Sequence, residues 1–238
     1  MAIRLFTLAL LVSGCSVSGR VASEIEAALP EAIGPADEYQ VSVEGVSVTS
    51  STADRIEVVG LRVARENAPV IDRFEAVLED VVFDRGEKEI TGVGSASATA
   101  FVLTADLDTY LEGLDGISDA TLTLSAPDQM LLTMRGELAD YEIPVNIEIR
   151  GRFAAEAGVV RLNVISARAG RINISGFKDR IEREINPVLD LTDDDIALTV
   201  TDVRVEDGVL VLEAAGDLSG LQISRGVKSD MPRSDLSH

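Results

Sequence analysis

Few residues in this chain are of the types that chemistry needs. There is one cysteine, Cys15, and one histidine, His238. A lone Cys forms no internal disulfide, and one Cys with one His is too few for a zinc site. His238 is the last residue, so Ser-His and Cys-His nucleophile arrangements have no credible source. No GxSxG, P-loop, GxGxxG or HExxH pattern occurs. The glycines of "TGVGSAS" (Gly92, Gly94) lack the following helix that a phosphate cradle requires, and they read as a strand irregularity. Carboxylates are the remaining set. Asp193-Asp194-Asp195 lacks the spaced ligands and the Gly of an EF-hand loop and reads as a solvated turn before a strand. A carboxylate-based hydrolase needs two acids facing each other across a polar cleft. Nothing marks one pair out among 41 acids, and the chain has no Trp on which a sugar would stack. The sequence predicts no enzyme, no cofactor and no metal.

Cys15 draws its meaning from its flanks. Arg4 supplies a charged start, Leu5 to Leu11 a short apolar run, and Ser13-Gly14 a small-residue end. That run is far below the ~20 residues of a spanning helix. Val12-Ser13-Gly14-Cys15 resembles the lipobox of bacterial lipoproteins, in which the signal is cut before a Cys whose thiol carries a lipid. Two readings stay open: an acylated Cys15, or an ordinary secretory signal with an incidental Cys. Both take the protein out of the cytoplasm. The expected divisions are a signal at 1–14, one domain at 15–216 and a loose polar tail at 217–238. An acylated Cys15 implies a membrane-anchored protein of the cell envelope, facing the periplasm or the cell exterior.

The elements that would position a site follow from periodicity. Val17 to Ile33 has the spacing of an amphipathic helix. From Tyr39 to Leu103 the pattern alternates ("YQVSVEGVSV", "RIEVVGLRV", "RFEAVLEDVVF", "SASATAFVL"), which predicts half-buried strands, with bulges or bends at Gly45 and Gly60. Thr104 reads as the N-cap of a short helix that places Leu107, Tyr110 and Leu111 on one face. Further strands follow, then a helix from Ser175 with the stripe Phe177, Ile181, Ile185 and Val188 and with Pro187 disrupting its end. Asp207-Gly208 suits the turn of a closing hairpin. The whole is α+β: a large, curved, mostly antiparallel sheet with two or three amphipathic helices.

The formal charge of −20 argues against nucleic acid as a partner. Its distribution is uneven. Between Arg150 and Arg183 there are eight Lys/Arg against three acids, an excess of five positive charges. This window is either a row of solvated arginines on an exposed sheet face or a docking patch for an anionic headgroup.

The stretch "EINPVLDLTDDDIALTVTDVRVEDGVLVLEAAG" (Glu184 to Gly216), with Asn186-Pro187, Asp190-Leu191 and Gly208, resembles the C-terminal end of the DUF2993 family of LmeA-like phospholipid-binding proteins. "GVGSASATAFVLTADLDTYL" is similar to that family's strand into a Thr-led helix, with Thr104, Asp106 and Leu107 at the matching places. The resemblance implies a secreted or surface-held phospholipid binder with a layout like the TULIP lipid-binding modules. On that basis the apolar faces carrying Leu107, Tyr110, Leu111, Phe177, Ile181, Ile185 and Val188 are expected to line a lipid groove, with Arg171 and Lys178 at the headgroup. The stripes equally suit a closed core, which would make the chain a non-catalytic envelope interaction or assembly protein.

Overall fold

The computed structural model describes residues 17–65, 68–84, 89–114, 118–137, 144–156, 158–174, 176, 178–190 and 198–216. Helix α1 (Val17–Ala32) is followed by β1 (Glu38–Glu44), β2 (Thr52–Val63), β3 (Ile71–Asp84), the short β4 (Glu89–Gly92) and β5 (Ser95–Leu103). After α2 (Thr104–Glu112) come β6 (Ser118–Ser125), β7 (Gln129–Glu137), β8 (Pro144–Glu156), β9 (Val159–Ala169) and β10 (Ile172–Asn173). Helix α3 (Lys178–Ile185), β11 (Leu189–Asp190) and the hairpin β12 (Thr199–Glu206) and β13 (Val209–Gly216) complete the described chain. Every strand pairing is antiparallel. The α+β expectation holds.

The strands divide between two open sheets. The larger has the order β1-β2-β3-β5-β13-β12, with β4 beside β3; the smaller has the order β10-β9-β8-β7-β6, with β11 also beside β9. β12, an outer strand of the larger sheet, meets the smaller one: Val205 N–H donates to Pro127 C=O at 2.5 Å, and Gly158 bridges Val200. Two apolar cores result. One lies where the sheets meet, around Val102, Leu107, Leu132, Ile149, Leu162 and Leu210. The other lies between α1 and the far half of the larger sheet, around Leu29, Ile56, Val58 and Val81. Ile33, Tyr39 and Phe74 pack against both, so the apolar interior is continuous from one to the other.

Each helix closes a strand edge with one carboxylate. Glu26 of α1 accepts the N–H of Val41 on β1 at 3.0 Å. Asp108 of α2 accepts the N–H of Leu122 on β6 at 2.6 Å. Glu182 of α3 accepts the N–H of Val164 on β9 at 2.7 Å. Beside it, the Asn186 amide acts as a one-residue strand: Oδ1 accepts from Leu162 N–H at 2.7 Å and Nδ2 donates to Leu162 C=O at 3.0 Å. Val188 N–H then donates to Val160 C=O at 2.9 Å, leading into β11. The Asn-Pro step thus fills the part of the β9 edge that lies between β10 and β11.

Several local expectations change. Gly60 is not a bulge; it sits in unbroken register between Tyr39 and Phe74, and a Cβ there would meet the Tyr39 ring at 2.8 Å. The positive-φ residues of β2 and β3 are Arg62 and Asp80. Gly45, with φ of +64°, ends β1. Thr104 is the first helical residue rather than the cap, because its hydroxyl donates to Gly208 C=O in the β12–β13 turn. That turn has φ of 48° and 79° at Asp207 and Gly208, the primed geometry expected of Asp-Gly. The second helical stripe is shorter than its periodicity suggested. α3 stops at Ile185, and Val188 lies beyond it, since Pro187 has no N–H to continue the helix.

Candidate functional site

Leu107, Tyr110 and Leu111 of α2 meet Ile185 and Val188 from the α3 end, and together with Leu122, Met130, Leu132, Phe153 and Leu162 they line one crevice. Five of the seven expected lipid-lining residues are therefore neighbours. Phe177 lies outside the described residues, and Ile181 lies within α3. The crevice is entirely apolar in its lining, but its void is only about 20 Å³, room for about one water molecule. These side chains are the core between α2, α3 and the smaller sheet, and the space left among them is too small for an acyl chain.

α2 is held in place by a charged fork. Arg62, with φ of 54° on β2, donates to both oxygens of Asp106 at 2.6 and 2.8 Å and also reaches Asp72 at 3.4 Å. The bonds to Asp106 raise the Arg62 pKa above its ordinary value, so the guanidinium stays charged at every working pH.

A second apolar feature was not anticipated from the sequence. On the inner face of the larger sheet, register aligns three rows across β3, β5 and β13: Leu78-Ala96-Gly216, Ala76-Ala98-Ala214 and Phe74-Ala100-Leu212. Six of these nine positions are Ala or Gly, so the middle of the face is a floor of minimal side chains. Taller groups stand beside it, with Val41 and Val43 on β1, and Ile25 and Leu29 on α1. Val41, Val43, Phe74, Ala76 and Leu78 are only half-buried. α1 packs along β1, and its Leu29 shares one apolar cluster with Val81 of β3 and Ala96 of β5. The signal was present in "SASATA": Ala96, Ala98 and Ala100 alternate on one face of β5, and all three are buried.

The polar surroundings are largely self-paired. An open depression of about 560 Å³ on the outer face is lined by Arg55, Glu79, Ser95, Ser97 and Ala215. Its charges already meet one another, Arg55 with Glu79 at 3.4 Å and Ser95 with Glu79 at 3.1 Å. Arg204 is held by Glu206 and Glu213, each at 2.5 Å, and these bonds raise its pKa. Of the expected headgroup pair, Lys178 opens α3 and lies 3.5 Å from Glu182, while Arg171 is exposed in the turn between β9 and β10.

Among the described residues no cluster of three or more His, Cys, Asp or Glu could hold a metal ion, and no helix is long and apolar enough to cross a membrane. Cys15, Asp193-Asp194-Asp195, His238 and the 217–238 tail lie outside the described residues. No curated protein and no solved structure matches the chain at a significant level. A family model described as LmeA-like phospholipid-binding matches residues 16–215, which takes in both cores and the three helices of the described residues. The chain belongs to the LmeA-like phospholipid-binding family.

Proposed function

We propose that the protein is a non-catalytic phospholipid-binding lipoprotein of the cell envelope, tethered through acylated Cys15, that holds acyl chains over the alanine floor of the larger sheet. The observation that carries this reading is the floor itself, six Ala or Gly at nine adjacent inner-face positions, buried at Ala96, Ala98, Ala100 and Ala214 and bordered by the half-buried Val41, Val43, Phe74 and Leu78. A face of small side chains packs closely against a partner of larger bulk. An acyl chain supplies that bulk. Ten methylenes leaving water contribute roughly 8 kcal/mol, ample for retention once association costs of several kcal/mol are subtracted. The crevice lined by Leu107, Tyr110, Leu111, Ile185 and Val188 forms the closed end of the same apolar interior.

The closed crevice favours a second reading, an envelope interaction protein whose core takes no ligand. One experiment separates them. Organic extraction and mass spectrometry of the purified full chain should find phospholipid, and Ala98→Phe should remove most of it with the melting temperature nearly unchanged. A closed core gives the opposite result: no phospholipid in the parent, and a loss of about 1–3 kcal/mol in Ala98→Phe from overpacking.

A further inference from the structure

α1 and β1 run in opposite directions. The Tyr39 hydroxyl at the start of β1 donates to Gly34 C=O, just past the end of the helix, at 2.7 Å, while Glu26 in mid-helix accepts from Val41 N–H at 3.0 Å. From Glu26 back to Val17 the helix covers roughly 13 Å, and from Val41 forward to Gly45 the chain covers about as much. The first residue of α1 therefore stands level with the turn that follows β1.

That turn differs in composition from the rest of the molecule. Gly45 to Ala53, "GVSVTSSTA", holds no charged residue in a chain that is 26% Asp, Glu, Lys and Arg. Its polar groups are paired with one another. Ser47 N–H donates to Thr52 C=O at 2.8 Å and Thr52 N–H to Ser47 C=O at 3.2 Å, while Ser50 Oγ lies 2.6 Å from Ser47 Oγ and 2.8 Å from Thr52 Oγ1. Hydroxyls satisfied in this way cost less to take out of bulk water. Val48 in this turn is 46% exposed, and Val17 at the start of α1 is 51% exposed. Glu44 and Asp54, both exposed, flank the stretch at the base of the hairpin and limit how far it can leave water.

We propose that this end of the larger sheet, the 45–53 turn together with the start of α1, rests on the bilayer that holds the lipid of Cys15, with Val17 and Val48 in the interfacial layer. This rests on the tether in the reading above and adds the orientation of the fold on the membrane. The length of chain beyond α1 selects the partner. Ser16 alone separates Cys15 from Val17, and two residues span at most about 7 Å, so a lipid on Cys15 seats the start of α1 among the headgroups. The turn at the same level is carried there with it. With no charge in the turn and acids at its base, the contact needs no anionic lipid. Two part-exposed valines are too little apolar surface to hold the protein by themselves, so the contact depends on the tether.

The test uses the full acylated chain reconstituted in phosphatidylcholine vesicles. The thiol of Cys15 is occupied there, so an introduced cysteine is the one free thiol for an environment-sensitive fluorophore. The probe stands at Val48→Cys or, as the control, at Ile165→Cys on β9 of the smaller sheet, an apolar position that is 60% exposed. Phosphatidylcholine with brominated acyl chains should quench most of the Val48 emission, after a shift to the blue, and leave the Ile165 probe unchanged. Inserting about ten Gly and Ser residues between Ser16 and Val17 lengthens the tether by roughly 17 Å and should restore most of the Val48 emission. Equal quenching at both sites, no quenching at Val48, or quenching unchanged by the longer tether would each overturn the proposal. The mass of the N-terminal peptide from the same preparation keeps the two readings apart. A Cys15 without lipid removes the tether and the docked end together, whereas an acylated Cys15 with a bright Val48 probe removes the docked end alone.

Discussion

Asn186→Ala should show how much of the second half depends on a single amide. Leu162 is 1% exposed, and both of its backbone groups on the free side of β9 are met by Asn186 alone, at 2.7 and 3.0 Å. Removing the amide deletes two hydrogen bonds, each worth about 1 kcal/mol net, and adds a penalty wherever the orphaned N–H or C=O is not rehydrated. Asn186 is half-buried, so water reaches part of the gap. The expected loss is about 2–3 kcal/mol, which for a domain of this size lowers Tm by roughly 4–12 °C. Asn186→Asp sharpens the test, because it keeps an acceptor for the N–H but turns a second oxygen onto the Leu162 carbonyl. It should be no more stable than Asn186→Ala. The chain has no Trp, so urea unfolding is best followed by far-ultraviolet circular dichroism, with hydrogen exchange at Leu162 and Val164 reporting the edge directly. If Asn186→Ala unfolds within about 0.5 kcal/mol of the parent, or Asn186→Asp matches the parent, then the amide is not the strand substitute described above and the β9 edge is held by Glu182 and β11. The 0.5 kcal/mol threshold is the usual scatter of a surface substitution.

Two further outcomes are expected. Metabolic labelling with a palmitate analogue should mark the parent and leave Cys15→Ser unlabelled; equal labelling of both would remove the tether from the proposed function. Asp106→Asn should cost about 1–2 kcal/mol in urea unfolding, a modest figure because Arg62 is 39% exposed and keeps Asp72. Stability equal to the parent would mean that α2 is docked by Leu107 and Leu111 without help from the fork.

Much of the local structure was legible because a half-buried strand writes its face into alternate residues. "SASATAFVL" is β5 from end to end, and Asp207-Gly208 is the turn its types required. The division into two sheets was not legible, since β13 pairs with β5 across more than a hundred residues and no local pattern encodes that choice. Periodicity marked one apolar stripe through Leu107 and Leu111 and another through Ile185, but a stripe does not say which other stripe it meets or whether the space between them is filled. Glu26, Asp108, Glu182 and Asn186 were invisible for a different reason. A polar residue on an amphipathic helix looks the same whether it faces water or a bare strand edge, and only the tertiary fold decides. The Ala floor needed the register of three strands before alternating small residues became a surface.

The helix carboxylates have a consequence for how copies of the chain meet one another. A sheet margin with unsatisfied amides is a template onto which a neighbouring chain can add a strand. Here β1, β6 and β9 each have an amide taken up by Glu26, Asp108 and Glu182, and β12 meets the smaller sheet. Glu26 and Asp108 also place a negative charge on their margins, where a second copy would bring another, while Glu182 is paired with Lys178 at 3.5 Å. At these positions strand addition is opposed twice, by an occupied hydrogen bond and by charge.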